Sequence, residues 1–303
     1  MMHQIWVFLS FARKFVVAEP SILMKRAATA SVAVSAFLVA IKAGAYFASH
    51  SVAMLASMAD SALDLMASLL NMLAIRHALA PADAEHRFGH GKAEPLAGLA
   101  QGAFIAASAL FLSIEAVQRI ANPAPIDNSV PALAVMVVSI AVTFLLIAYQ
   151  RRVVAQTGSI AVAADSGHYA SDLLSNLGVI AALILSAWMG WTLADPILAL
   201  IVAGILVWTA LGVGRRSLDQ LMDRELPDED RQRIRAIAES LPGVIDAHDL
   251  KTREAGLSTF IQLHLRLRSD MTLSEAHGVS DEVERAIREA YPAAQIIIHQ
   301  DPA

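Results

Sequence analysis

Asp60 and Asp64 lie four residues apart in the apolar segment SVAMLASMADSALDLMASLLNMLAI, and His168 and Asp172 lie four apart in SIAVAADSGHYASDLLSNLGVIAALIL. On a helix, residues i and i+4 are about 40° apart around the axis and about 6 Å apart along it, so each pair points one way. A carboxylate at mid-bilayer costs roughly 2.5–3.5 kcal/mol on insertion scales, so three of them are retained only for a purpose. Two acids from one helix and a His plus an acid from another give four nitrogen and oxygen donors. That set suits a tetrahedral site for zinc or a similar first-row divalent cation. Imidazole binds metal only when neutral, and its ordinary pKa of about 6.5 ties occupancy at His168 to protons. The competing reading is four polar groups that cap or hydrogen-bond within a helix bundle. It must absorb both the burial cost and the matched spacing. Asp165, one turn before His168, stays outside the set, as does Asn176.

Those segments must be held by spans, and the composition supplies them. The 303 residues are 56% hydrophobic and only 17% charged, which suits a polytopic membrane protein better than a soluble enzyme. Six apolar stretches are long enough to cross a bilayer, near 28–48, 52–76, 95–118, 130–150, 158–187 and 193–213. The fifth is polar on one face. Basic residues fall in alternate loops: Lys25 and Arg26 before the first span, Arg76, Arg87 and Lys92 after the second, Arg151 and Arg152 after the fourth, Arg215 and Arg216 after the sixth. The positive-inside rule then puts both termini in the cytoplasm. The expected organisation is an N-terminal extension at 1–24, a transmembrane domain at 25–213 and a soluble domain at 214–303. The extension reads as an interfacial lead-in or an overlong start, with no cleavable signal pattern. The soluble part reads as α-β-β-α-β, a small α+β sandwich with its helices on one face of the sheet. With no cysteine, any metal must be held by His and carboxylates.

Two further groups of residues have ligand character. In the loop PADAEHRFGHGKAE, Asp83, His86 and His90 are spaced for convergence on one ion, with Gly89 and Gly91 permitting a tight backbone. Taken alone, such a loop is more often a solvated surface. In the soluble part, His248 falls on the first strand, His264 on the second, His277 on a helix, and His299, Gln300 and Asp301 on the last strand. A scatter of surface histidines fits that placement equally well. His3, His50 and His77 remain unassigned. The motifs of a membrane hydrolase, His-Glu-x-x-His or Gly-x-Ser-x-Gly, are absent, and so is a P-loop, which excludes the usual nucleotide-driven pump.

The Asp-x3-Asp, FGHGKAE, His-x3-Asp and IIIHQDP motifs, in that order, resemble the cation diffusion facilitator family, in its bacterial zinc and ferrous-iron efflux (YiiP/FieF-like) branch. The resemblance covers roughly residues 25–303. It implies a homodimer in the cytoplasmic (inner) membrane, six helices per protomer, a cytoplasmic metallochaperone-like domain and exchange of a divalent metal for protons by alternating access. The chain is then a transporter, not an enzyme, with zinc both carried and structural, and iron, cadmium, cobalt or manganese as other candidate cargoes. Nucleic acid is not among the implied partners. The family's transport site maps onto Asp60, Asp64, His168 and Asp172, and its loop site onto Asp83, His86 and His90. Its binuclear cytoplasmic site maps onto His248, His264, His277, His299 and Asp301, with Gln300 as a minor partner and Asp301 as a bridge. A charge interlock between the two parts maps onto Lys92 and Asp223. The chain departs from the pattern at Ala84, where close relatives often carry a second acid. A metal sensor with the same fold but no flux is the alternative function.

Overall fold

The computed structural model describes residues 19–50, 52–121, 130–189 and 194–303, and most of the expected N-terminal extension lies outside that range. Among the described residues are six helices of 27–30 residues: α1 (Pro20–Ser49), α2 (Val52–Ala78), α3 (Ala93–Ala121), α4 (Val130–Thr157), α5 (Ile160–Met189) and α6 (Ala194–Leu221). Each exceeds the roughly 20 residues that cross about 30 Å of hydrocarbon. Five contain a stretch apolar enough to cross a membrane, and α5 is the exception. Its face carries Asp165, His168 and Asp172, which lowers its hydropathy where it faces the other helices.

Small and polar residues let these helices approach closely. On α2 a buried stripe runs Ser61, Ser68, Asn71 and Ile75, with Asp64 set along it. Gly98 of α3 leaves no room for even a methyl group against Ser217 of α6 and Ile160 of α5. Side-chain hydrogen bonds then fix the register between spans. Asn71 donates to the Ala161 carbonyl (3.4 Å), Gln101 to the Ala67 carbonyl (3.2 Å), and the Ser68 and Tyr169 hydroxyls share a 2.7 Å bond. In membrane bundles each such bond contributes about 0.6 kcal/mol, up to about 1.7.

The C-terminal part comprises α7 (Asp228–Glu239), β1 (Val244–Ala255), β2 (Ser258–Leu267), α8 (Leu273–Ala290) and β3 (Ala294–Pro302), in the expected α-β-β-α-β order. Strand order is β1-β2-β3, with β1–β2 antiparallel and β2–β3 parallel. The alternation in β2 sends Ile261, Leu263, Leu265 and Leu267 into a core with Ile234 and Ala238 of α7 and Val283 and Ile287 of α8. Helix α8 begins with a full capping box, Thr272 accepting from the Glu275 amide and Glu275 accepting from the Thr272 amide. Because both helices cover one face, the opposite face of the sheet presents the other residues of the alternation, His264 among them.

Candidate metal centres and the domain junction

The candidate transport ligands meet inside the helix bundle. His168 Nε2 lies 3.0 Å from Asp64 Oδ1 and 3.8 Å from Asp172 Oδ2, so α2 and α5 converge through these side chains. His168 is buried, 6% exposed, and both its Nδ1 and Asp172 Oδ2 have no hydrogen-bond partner among the described residues. Donor atoms of Asp64, His168 and Asp172 all fall within 4.8 Å of one another. Asp60 does not join this group. One turn earlier on α2, it sits at the exposed edge of the buried stripe, while its neighbour Ser61 is buried. Sequence reasoning missed Lys42, whose ammonium donates to Ser61 Oγ (2.7 Å) and the Ser57 carbonyl (3.2 Å), placing a cation one residue from Asp60. An ionisable residue in an apolar helix was the available signal. Asp165 is accounted for elsewhere: fully buried, it accepts from Ser31 (2.5 Å) and Gln150 (2.7 Å) and ties α1, α4 and α5 together.

The loop between α2 and α3 gathers its three candidates. His90 Nε2 is 3.3 Å from Asp83 Oδ2, and His86 Nδ1 is 3.5 Å from Asp83 Oδ1. Asp83 also accepts from the amides of Glu85 and His86, an Asx-type turn that shapes the loop. The His86 amide bond, the leading cause, holds the Asp83 carboxyl below the usual carboxylate range.

On the open face of the sheet, register does the positioning. His248 pairs with His264 across β1–β2, and His264 with His299 across β2–β3, so three imidazoles stand in one row. Directly paired residues have Cβ atoms about 4.5–5.5 Å apart, close enough to share ions. Asp301 lies beside all three: its Oδ2 is 2.9 Å from His264 Nδ1 and 3.2 Å from His248 Nε2, and its Oδ1 is 3.2 Å from His299 Nε2. Asp249, which the sequence reading did not include, reaches within 3.6 Å of His264 Nε2 from a bulge in β1, with a left-handed φ of 44°. His277 stays apart, exposed on α8 with Nε2 3.7 Å from Asp281. The reason is topological: α8 covers the leucine face of the sheet, and the histidine row is on the other. Gln300 also points to the helix side, donating to Ser280 Oγ (2.8 Å).

The expected interlock is present as a contact. Lys92 Nζ lies 3.0 Å from Asp223 Oδ1 and donates to the Leu221 carbonyl at the end of α6 (3.3 Å). Asp223 adopts φ 56°, a conformation Asp tolerates better than most residues, and so turns the chain out of α6. Arg253 adds a second cation, 3.2 Å from Asp223, with its guanidinium 5.5 Å above Phe88 and 4.6 Å above Phe260. A methyl on Gly91 would collide with the Ala255 carbonyl, so the glycine lets the loop sit against the β1–β2 turn. Burial pushes the Asp223 carboxyl up, but Lys92 and Arg253 outweigh it and hold it below its ordinary range. A depressed acid keeps its stabilising contribution above its unfolded pKa and loses it only as pH falls through the folded value. The junction is therefore expected to resist limited proteolysis equally from about pH 8 to about pH 5 and to loosen only below about pH 4.

A helical bundle with a buried acid–imidazole cluster and a small domain bearing a His/Asp row defines a membrane protein that handles divalent cations. The chain belongs to the cation efflux family: it matches the family's transmembrane domain over residues 28–222 and its cytoplasmic domain over residues 226–303. It is therefore a multi-pass, metal-binding cation efflux protein and not an enzyme. It is 46% identical over 279 residues to the cation-efflux pump FieF of Shewanella oneidensis, covering 92% of this chain and 94% of that one. It is 45% identical over 280 residues to the pump of the same name from Escherichia fergusonii, covering 92% and 93%. Among solved structures, one of CzrB is 42% identical over 26% of this chain and 98% of its own, with a TM-score of 0.25.

Proposed function

We propose that this chain exports zinc-like divalent cations from the cytoplasm in exchange for protons. The observation that carries this reading is the Asp64–His168–Asp172 cluster, buried where α2 and α5 meet, with donor atoms within 4.8 Å. Its mixed oxygen and nitrogen donors fit a first-row divalent ion, and the unpartnered Asp172 Oδ2, turned toward His168 Nε2, fits a site completed by the cargo. Asp60, one turn along the same helix and so about 6 Å away at Cβ, is the acid placed to supply a fourth oxygen. The same groups bind either protons or metal, which couples the two fluxes through one site. In this reading residues 25–213 form the transport domain of an inner-membrane protein, with both termini in the cytoplasm, as the basic loops favour.

Residues 214–303 form its soluble domain, through which two copies pair. There His248, His264, His299 and Asp301 hold a two-ion centre, which His277 and Gln300 of the same chain do not reach. Asp83, His86 and His90 hold another ion, and the contact of Lys92 with Asp223 locks the two domains in register.

The test is metal uptake into proteoliposomes under an imposed pH gradient, comparing Zn(II), Fe(II), Cd(II) and Mn(II), with Asp172→Ala alongside. Expected is zinc uptake that collapses with the gradient and is lost in the variant. Gradient-independent uptake would remove proton coupling, and absence of flux with metal binding intact would point to a sensor.

A further inference from the structure

We propose that His77 is a fourth ligand of the loop site, so that His77, Asp83, His86 and His90 hold one tetrahedral divalent cation. The inference rests on the loop-site reading above and extends it to a residue in the last turn of α2, outside the loop. Two independent observations carry it.

The first is spacing. The His77 and His90 ring centres are 4.6 Å apart, and those of His86 and His90 are 4.7 Å apart, so His90 stands between two other imidazoles at nearly equal distances. A zinc–nitrogen bond of about 2.0–2.1 Å puts a ligand's ring centre about 3 Å from the ion. Two imidazoles at the tetrahedral angle on one ion then have centres about 5 Å apart. Both observed separations lie close to that value; the donor atoms of Asp83, His86 and His90 already fall within 4.8 Å of one another, and the exposed His77 ring is the one that turns inward to join them.

The second is an orphaned group. The His90 side chain is only 6% exposed, its Nε2 faces Asp83, and its Nδ1 is buried with no hydrogen-bond partner among the described residues. With Nε2 turned toward Asp83, no protein hydrogen bond on the other nitrogen holds the ring, so His90 is a side chain placed by its cluster rather than by a structural hydrogen bond. His77 is exposed, so its approach to His90 is not forced by burial.

The chemistry of the set names its preference. Three neutral imidazoles and one carboxylate favour Zn(II) or Co(II) and disfavour Mg(II), Ca(II) and Mn(II), which take oxygen-rich sites. The α2 end and the loop would be tied together by the ion, and the loop in turn sits on the β1–β2 turn through Gly91.

The experiment uses the full chain carrying Asp172→Ala and Asp301→Ala, so that the loop dominates binding. Co(II) is titrated and the visible d–d absorption recorded, with Zn(II) competition giving affinity. Without further change the spectrum is expected to be the intense one of four-coordinate cobalt. Adding His77→Ala is expected to weaken binding at least tenfold and to shift the bands to the weak pattern of higher coordination, with water filling the vacated position. An unchanged spectrum and affinity would overturn the assignment of His77, leaving it an imidazole at a helix C-terminus. Asp83→Ala in the same background separates the two readings. If it removes the bound cobalt while His77→Ala does not, only the fourth ligand fails. If it removes nothing, the loop site itself fails, and His77 with it.

Discussion

Asp64→Asn is expected to cut metal flux by at least about a hundredfold while the protein folds as well as before or better. The two halves of that expectation have different causes. Asp64 Oδ1 lies 3.0 Å from His168 Nε2, at the point where α2 and α5 converge. Groups that merely orient metal ligands cost about 10–100-fold in affinity or activity when removed, so a carboxylate proposed to bind the cargo itself sets the upper end of that range as a minimum. Asparagine keeps the shape and still meets the imidazole, so packing along the Ser61, Ser68, Asn71 stripe persists. It also deletes a charge that the apolar helix carries at a cost of roughly 2.5–3.5 kcal/mol. Stability and transport should therefore move in opposite directions. Flux into proteoliposomes and the thermal midpoint of the purified protein measure the two separately. Flux above about a tenth of wild type would remove Asp64 from the cation's path, and a large fall in the midpoint would make it a structural residue.

The spacing that exposed Asp64 was legible because a helix repeats locally, and the same holds for the β2 alternation that builds the soluble core. Long-range geometry was not. The sequence places Asp60 and Asp64 on one side of α2, yet only the packing of that helix decides that the stripe through Ser61 and Ser68 is buried and that Asp60 falls at its edge. His277 shares a residue type and a domain with His264, but α8 covers the leucine face of the sheet and leaves His277 paired with Asp281. Asp249 enters through a bulge in β1, which alternation cannot show. The motif-level resemblance supplied the histidine row as a set, and strand register explains it: His248, His264 and His299 are partners across adjacent strands. Lys42 was visible as a charge in an apolar helix, but its relation to Asp60 depends on how α1 meets α2 at Ser57 and Ser61.

That row makes Asp301 the position with the largest expected effect outside the membrane. If the His/Asp row holds two ions as proposed, Asp301→Ala is expected to abolish both at once, whereas His299→Ala and His248→Ala should each remove one and leave the other weakened. The asymmetry follows from the carboxylate's two oxygens. Oδ2 serves His264 and His248, and Oδ1 serves His299, so a single side chain touches both ends of the row. Its carboxyl is held below the usual range, first by the His264 hydrogen bond and then, against the upward push of burial, by the charges of the surrounding histidines. The acid is thus ionised throughout the neutral range and available to a bound cation. Metal equivalents counted by competition titration of the full chain, with Asp172→Ala in every variant to silence the transport site, give the result directly. Loss of two equivalents in Asp301→Ala identifies a shared bridge. Loss of one would mean that the histidines hold separate ions and that Asp301 belongs to only one of them.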